Sequence, residues 1–262
     1  MPELLRMKRT GRKIVSVTAY DYTFARLLDR AGVDLLLVGD SLGMVIQGAE
    51  TTLGVTLDEM IYHTRAVARG TVRALVVCDL PFGCYQAGPQ EAWDAAARAM
   101  KESGAQAVKL EGGRHMSGTV AFLTQRGIPV VGHVGLTPQS VHAFGGFRVQ
   151  GRGDAAAQQV MEDAMALSEA GAGAIVLEGI PAPLAEAVSR KIPVPTIGIG
   201  AGPGCDGQVL VLYDLLGLYD DVTPRFVKRY LAGAGQVSTA VETFAREVRD
   251  GTFPAPEHCF TE

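Results

Sequence analysis

Apolar residues in this chain follow two alternating rhythms. Short unbroken runs such as Ile14-Val-Ser-Val-Thr-Ala19, Leu35-Leu-Leu-Val38, Leu75-Val-Val-Cys78 and Ile175-Val-Leu177 contain almost no charge. Runs of this length, bounded by glycine, acid or proline, read as strands buried on both faces. Between them lie longer stretches whose apolar residues fall three and four apart, the spacing of a helix with one buried side. The pattern predicts strands at 14–19, ending at Asp40, ending at Asp79, at 105–110, at 129–133, ending at Glu178, at 196–200 and at 209–212. Helices are expected to run to Ala31 and Gly32, from Thr56-Leu-Asp-Glu59 to Arg69, from Pro89 to Ser103, over 116–125, from Asp154 to about Ala170, and through Pro183 to Arg190. Thr56 with Glu59 has the spacing of a capping box, and Pro89 suits a first helical turn. From Pro224 onward the pattern gives two helices and an irregular tail.

Strands alternating with helices imply a parallel sheet, and eight of them imply a closed (β/α)8 barrel. The fold class expected is therefore an α/β TIM barrel, a single domain over 1–262 with C-terminal helices and a tail. It should be irregular near strands 7 and 8, whose connection is too short for a full helix. An open doubly wound sheet would need a Gly-x-Gly-x-x-Gly turn after the first strand. That strand instead leads into Ala19-Tyr20-Asp21. Two connections, 41–56 and 134–153, exceed the usual loop length and are candidates for ligand-covering segments.

One phrase repeats within this pattern. Residues 31–40 (AGVDLLLVGD), 103–112 (SGAQAVKLEG) and 170–179 (AGAGAIVLEG) each read as a small residue, glycine, an apolar run, then an acid beside glycine. With Asp79 closing another run, four strands end in Asp40, Asp79, Glu111 and Glu178. A single acid there would be an ordinary helix cap. Four at one edge of one sheet suggest a cation site, because each costs desolvation unless something needs it.

Composition narrows the classes. The 262 residues are 47% hydrophobic with a formal net charge of −4, which leaves no general basic field for nucleic acid or an anionic membrane. The stretch from Arg6 to Lys13 is expected to solvate the N-terminus. Neither a signal peptide nor a run long enough to span a membrane is visible. The four cysteines form no Cys-x-x-Cys pair, so reduced thiols and a cytoplasmic location are expected, with no structural zinc.

Barrel enzymes carry their chemistry at the carboxyl ends of the strands. Those ends supply Asp40, Ser41, Asp79, Lys109, Glu111, His133 and Glu178. A set rich in oxygen, free of cysteine and with one histidine prefers a hard cation such as Mg2+. Three acids would serve as ligands, some through water, and the fourth would be free for acid–base work. Strand alternation puts Lys109 on the face of Glu111, one layer deeper. There it would either hold a substrate carboxylate or neutralise the acids. His133 shares a face with Val131 and is read as a ligand contact, against the alternative of a satisfied core histidine. A divalent cation can chelate a 2-oxo acid and stabilise its enolate while a spare carboxylate takes the proton. The residues alone thus support aldol-type or C–C lyase chemistry on a small 2-oxo acid, and leave open a barrel that only binds a metabolite.

The chain closely resembles the ketopantoate hydroxymethyltransferase family. The matching stretches are Thr18-Ala-Tyr-Asp21, Val38-Gly-Asp-Ser-Leu-Gly-Met44, Asp79-Leu-Pro-Phe-Gly83, Val108-Lys-Leu-Glu-Gly-Gly113, Gly132-His-Val-Gly-Leu-Thr-Pro-Gln139, Val176-Leu-Glu178 and Ile197-Gly-Ile-Gly-Ala-Gly202. They occur in order over nearly the whole chain. The resemblance implies a Mg2+-dependent barrel of the phosphoenolpyruvate mutase/isocitrate lyase type, one ion per subunit, held by Asp40, Asp79 and Glu111. It implies that Asp40, Ser41, Asp79 and Lys109 contact the 2-oxo acid and that Glu178 accepts the proton. The implied reaction passes a hydroxymethyl group from 5,10-methylenetetrahydrofolate to 3-methyl-2-oxobutanoate, the first step toward pantothenate and coenzyme A. Expected partners are these small molecules and further copies of the chain, as a homodecamer. The alternative is a Mg2+-dependent C–C lyase of the same superfamily, but the Lys-x-Cys-Gly-His-type loop of that branch is missing from the sequence.

Overall fold

Each apolar run forms a strand, and the strands close on one another. The computed structural model describes residues 1–219, 221 and 223–261. The strands are β1 (Ile14–Thr18), β2 (Leu35–Val38), β3 (Leu75–Asp79), β4 (Ala107–Glu111), β5 (Val130–Gly135), β6 (Ala174–Glu178), β7 (Thr196–Ile199) and β8 (Gly207–Leu210). All pair in parallel in sequence order, and β8 pairs with β1 to complete the barrel. The helices are α1 (Pro2–Arg9), α2 (Tyr22–Arg30), α3 (Leu42–Val45), α4 (Leu57–Gly70), α5 (Pro89–Ser103), α6 (Ser117–Thr124), α7 (Val141–Phe144), α8 (Asp154–Glu169), α9 (Ala182–Lys191), α10 (Leu212–Leu216), α11 (Leu231–Ala234) and α12 (Val237–Asp250). The capping box at the start of α4 is present: Thr56 Oγ1 accepts from the Glu59 amide, and Glu59 accepts from the Thr56 amide at 2.7 Å.

Alternation along the strands divides the core in two. Inward residues, among them Leu35, Leu37, Val77, Val131, Val176, Ile197 and Val209, fill the barrel. Outward residues such as Leu36, Val108, Ile175 and Leu177 pack with the surrounding helices in a second cluster. The irregularity near the end of the barrel is as expected, since β7 passes to β8 through residues 200–206 without a helix.

Three expectations need correction. The eighth strand is 207–210 rather than 209–212, and residues 212–216 are helical. Gly207 opens that strand because a Cβ there would collide with the Ile14 carbonyl, so only glycine lets β8 lie against β1. Second, the N-terminal basic stretch is not a solvated tail. Its first part, to Arg9, belongs to α1, whose Leu4 and Met7 plug the bottom of the barrel against Ile14 and the inward core. Lys8 donates to the carbonyls of Ser189 and Val194 and to Asp206 at 2.8–3.0 Å. Lys13 reaches the carbonyls of Pro203 and Cys205. Third, the two long connections carry short helices of their own, α3 in one and α7 in the other. Among the described residues no helix is long and apolar enough to cross a membrane, and the four cysteines are unpaired.

Candidate active site

The strands deliver all seven predicted side chains to one place. Asp40, Ser41, Asp79, Lys109, Glu111, His133 and Glu178 line a single cavity of about 470 Å³ at the carboxyl end of the barrel. Both long connections contribute to its walls, through Met44, Val45 and Thr52 on one side and Leu136, Pro138, Phe147 and Val149 on the other. The segment after β8 and the tail add Asp214, Tyr219, Arg225, Phe226 and Phe260, a contribution the sequence pattern did not indicate.

The floor of the cavity is a cluster of charges with almost no water contact. Lys109 donates to both oxygens of Asp79, at 2.8 and 2.9 Å, and lies 3.7 Å from Glu111 Oε1. Asp40 presents its amide to Asp79 Oδ2 at 3.3 Å. Lys109 is where strand alternation placed it, on the face of Glu111 and among the inward residues of the barrel. His133 bridges two acids, with Nδ1 3.4 Å from Glu111 Oε1 and Nε2 3.2 Å from Glu178 Oε2. These contacts are close but poorly aligned, so both ring nitrogens and Glu111 Oε1 lack a well-formed hydrogen bond among the described residues. Gly135 makes the bridge possible. It sits at φ 93°, where a Cβ would strike the Glu178 carbonyl, so the ends of β5 and β6 draw together only with glycine there.

The electrostatics are strained in a specific direction. Burial, reinforced by the charges of Asp79 and Glu111, pushes the Asp40 carboxyl well above the usual range, despite Lys109 and the Gln139 amide. Burial also raises Asp79, and Lys109 only partly offsets it. Burial works against ionised Glu111 as well, but Lys109 and His133 outweigh it and hold the group below its usual value. In Lys109 burial opposes the charge, yet Asp79, Glu111 and Asp40 keep the ammonium firmly protonated. Burial and Lys109 both disfavour the His133 cation, and the Glu111 and Glu178 carboxylates overcome them, raising it to about 9. Three carboxylates around one lysine leave negative charge in excess, and Asp40 carries most of that cost.

The donor set fits a hard cation on these grounds. An added positive charge would relieve Asp40, and the ligands are oxygen atoms at a buried strand edge. As the side chains stand, no group of three or more His, Cys, Asp or Glu among the described residues is arranged to hold an ion. Magnesium needs fewer, since it commonly takes one or two carboxylates and keeps several waters. Among the described residues Asp40 Oδ1 takes no hydrogen bond, which leaves it available for such a role.

Three polar residues near the cluster were not singled out from the residue pattern. Gln139 joins the two sides of the site: its Nε2 donates to Asp40 Oδ2 at 2.9 Å and its amide to Glu111 Oε2 at 3.0 Å. Tyr85 OH donates to Gln139 Oε1 at 2.6 Å and accepts from the Glu111 amide at 3.0 Å. Tyr20 OH shares a 2.9 Å hydrogen bond with Ser41 Oγ. Each lies off the strand ends, Tyr20 and Tyr85 on loops and Gln139 in a single 3-10 turn, where hydrophobic periodicity carries no information. Only the matching stretches that contain Tyr20 and Gln139 touch them.

Comparison with known proteins bears on this geometry. Residues 1–256 match the family model described as ketopantoate hydroxymethyltransferase. A relative from Magnetococcus marinus named 3-methyl-2-oxobutanoate hydroxymethyltransferase is 66% identical over 260 residues, covering 99% of this chain and 97% of its own. One of the same name from Syntrophus aciditrophicus is 57% identical over 254 residues, covering 97% and 93%. Among solved structures, 2,3-dimethylmalate lyase, a PEP mutase/isocitrate lyase superfamily member, aligns with a TM-score of 0.61 at 18% identity, over 83% of this chain and 82% of its own. Phosphonopyruvate hydrolase aligns with a TM-score of 0.60 at 17% identity, over 99% and 90%. At those identities the two structures bear on the barrel alone.

Proposed function

The chain belongs to the ketopantoate hydroxymethyltransferase family, and we propose that it transfers a hydroxymethyl group from 5,10-methylenetetrahydrofolate to 3-methyl-2-oxobutanoate with Mg2+ at the barrel mouth. The supporting observation is the excess of buried carboxylate around Lys109, open to a cavity large enough for a second, larger substrate. Family membership decides against the lyase alternative.

In this reading Asp40, Asp79 and Glu111 would hold the ion. The ion, when bound, polarises the keto group and stabilises enolate charge as a Lewis acid. Every remaining task falls to side chains. Ser41, oriented by Tyr20, and Lys109 receive the carboxylate end of the oxo acid, and His133 contacts it from the opposite strand. Glu178 is the one acid of the four that is only partly buried, with its side chain 15% exposed to the cavity. His133 Nε2 stands 3.2 Å from its Oε2, and Glu178 takes the C3 proton onto a carboxylate oxygen. Gln139 and Tyr85 fix the acids so that they do not rearrange during the step. Water adds to the folate methylene carbon as its bonds to N10 and N5 break, the two nitrogens taking up the protons of that water. The nucleophilic C3 bonds to the one-carbon unit so released, and the resulting alkoxide takes back the proton held by Glu178. Water supplies the hydroxyl oxygen, so that 2-dehydropantoate and tetrahydrofolate are the balanced products. Association into a homodecamer in the cytoplasm completes the reading, and sedimentation velocity measures that state directly.

The test is proton NMR of 3-methyl-2-oxobutanoate with the protein and Mg2+ in D2O. Loss of the C3 proton signal, dependent on Mg2+ and abolished by Glu178→Gln, is expected. Exchange that persists undiminished in Glu178→Gln would remove Glu178 from the role of base.

A further inference from the structure

The cavity above the acids is far larger than a five-carbon oxo acid requires. Its roughly 470 Å³ falls within the range of pockets that enclose drug-sized ligands, about 300–1,000 Å³. One acid in its wall has no task in the chemistry described so far. Asp214, on α10 just after β8, is only 9% exposed, yet its carboxylate lines the cavity. Among the described residues it has neither a side-chain hydrogen bond nor a salt bridge. Its carbonyl accepts from the Gly217 amide at the end of α10, and the residue lines the cavity. A buried carboxylate without donors is costly to the fold. Burial raises Asp214 to about 6, and the Arg229 charge offsets this only in part. At neutral pH it is therefore an ionised acceptor with both oxygens free, held ready for donors from a ligand.

The surroundings narrow the ligand. Phe226 and Phe260 lie together over Gly200 at the end of β7 and give the cavity flat apolar wall. Tyr20, the residue that holds Ser41, is within electrostatic reach of both Asp40 and Asp214, since both carboxylates act to raise its phenol. The unused acid is therefore a neighbour of the oxo acid site. A ligand suited to this wall is planar and presents two adjacent N–H donors to a carboxylate, the same two-pronged match that arginine makes. The 2-amino-4-oxopyrimidine edge of a reduced pterin has this pattern, in its ring N3–H and exocyclic 2-amino group.

We propose that Asp214 binds the 2-amino-4-oxopyrimidine edge of the folate co-substrate and sets the orientation of its methylene carbon toward the oxo acid. The assignment rests on the functional reading above and adds the site where the pterin is recognised.

The experiment measures tetrahydrofolate binding by isothermal titration, with Mg2+ and 3-methyl-2-oxobutanoate present, for the wild type and Asp214→Asn. The asparagine keeps the shape but turns one acceptor into a donor facing the ligand's own donors. Two charge-assisted hydrogen bonds are at stake, so a Kd increase of roughly 30- to 100-fold is expected. A matching rise in KM for the folate is expected, with the C3 proton exchange in D2O confirming that the variant folds and still handles the oxo acid. In parallel, 2-desamino-tetrahydrofolate should bind the wild type more weakly than tetrahydrofolate, and Asp214→Asn should erase most of that difference. Wild-type affinity in Asp214→Asn, or an unchanged preference for the 2-amino group, would overturn the assignment while the wild type still makes 2-dehydropantoate. A wild type that neither exchanges the C3 proton nor binds tetrahydrofolate would overturn the functional reading and the assignment together.

Discussion

The two ends of the barrel each hold a lysine beside carboxylate, part-buried at the bottom and buried at the top, and they treat it differently. At the bottom, Lys8 spends its three donors on Ser189 O, Val194 O and Asp206 Oδ2, and Asp206 Oδ2 also accepts from the Thr196 amide and hydroxyl. One positive charge meets one negative charge, and the described donors and acceptors are matched. At the top, Lys109 faces Asp79, Glu111 and Asp40, while Glu111 Oε1 and both His133 nitrogens lack good partners. The bottom is arranged for stability. The top keeps unsatisfied charge that only added groups can settle, as expected where local rules are broken for function.

Substitutions can break this contrast. The largest effect belongs to Glu178→Gln. General base catalysis contributes about 10²–10⁴-fold, so turnover should fall on that scale while calorimetry shows Mg2+ and oxo acid binding largely kept. Next is Lys8→Met, which strands Asp206 and two carbonyls in a mostly buried site. Chemical denaturation should show a loss of about 3 kcal/mol, with folate-free exchange at the other end unaffected in the molecules that remain folded. Third, Asp40→Asn should do the reverse at the mouth. The metal-free protein should become more stable, because a crowded carboxylate is gone. The stabilisation by Mg2+, about 2.7 kcal/mol for wild type at 100 times Kd, should largely disappear. A thermal melt with and without a chelator reads both parts, and equal Mg2+ stabilisation in wild type and variant would remove Asp40 from the ion site.

The smallest effect sharpens the view of Asp214. Its folded pKa of about 6 lies above the unfolded 3.8, so the fold prefers the neutral acid. Stability from this group is complete below pH 3.8 and is lost as pH rises through 6. Asp214→Asn removes that loss, and its gain should be absent near pH 4 and grow as pH rises toward neutrality. Melting curves across pH test the slope, and a gain that does not vary with pH would mean that the carboxylate is not the cause.

How much of this was legible depended on what marks each residue. The acids at 40, 79, 111 and 178 were readable because each ends an apolar run where charge is expensive. Lys109 and His133 followed from strand alternation, which survives in the folded barrel. Their individual roles are not encoded by position, since cap, ligand and base look alike in sequence. Gln139, Tyr85 and Tyr20 were not legible, because a side chain that bridges loops acts through three-dimensional closure alone. Asp214 was hidden for another reason. Its neighbours Leu212, Leu215 and Leu216 are apolar, and the first of them was read as the end of a strand that in fact stops at Leu210. The Gly207-Gln208 opening of that strand lacks the β-branched signature and shifted the reading by two residues. The α1 plug was overlooked since its charged residues outnumber the two that are buried.

That plug has a consequence in time as well as in space. Lys8 bonds to residues 181, 186 and 198 positions further along, and Ile14 pairs with Gly207. The partners of Lys8 and of one edge of β1 therefore lie in the last part of the barrel, although β2 covers the other edge. Leu4, Met7 and Ile14 reach their full burial only against residues that follow much later in the chain. Contacts of such separation are slow to form, so ring closure belongs at the end of folding. Chaperones that shield apolar segments would have their longest engagement with the first fifteen residues.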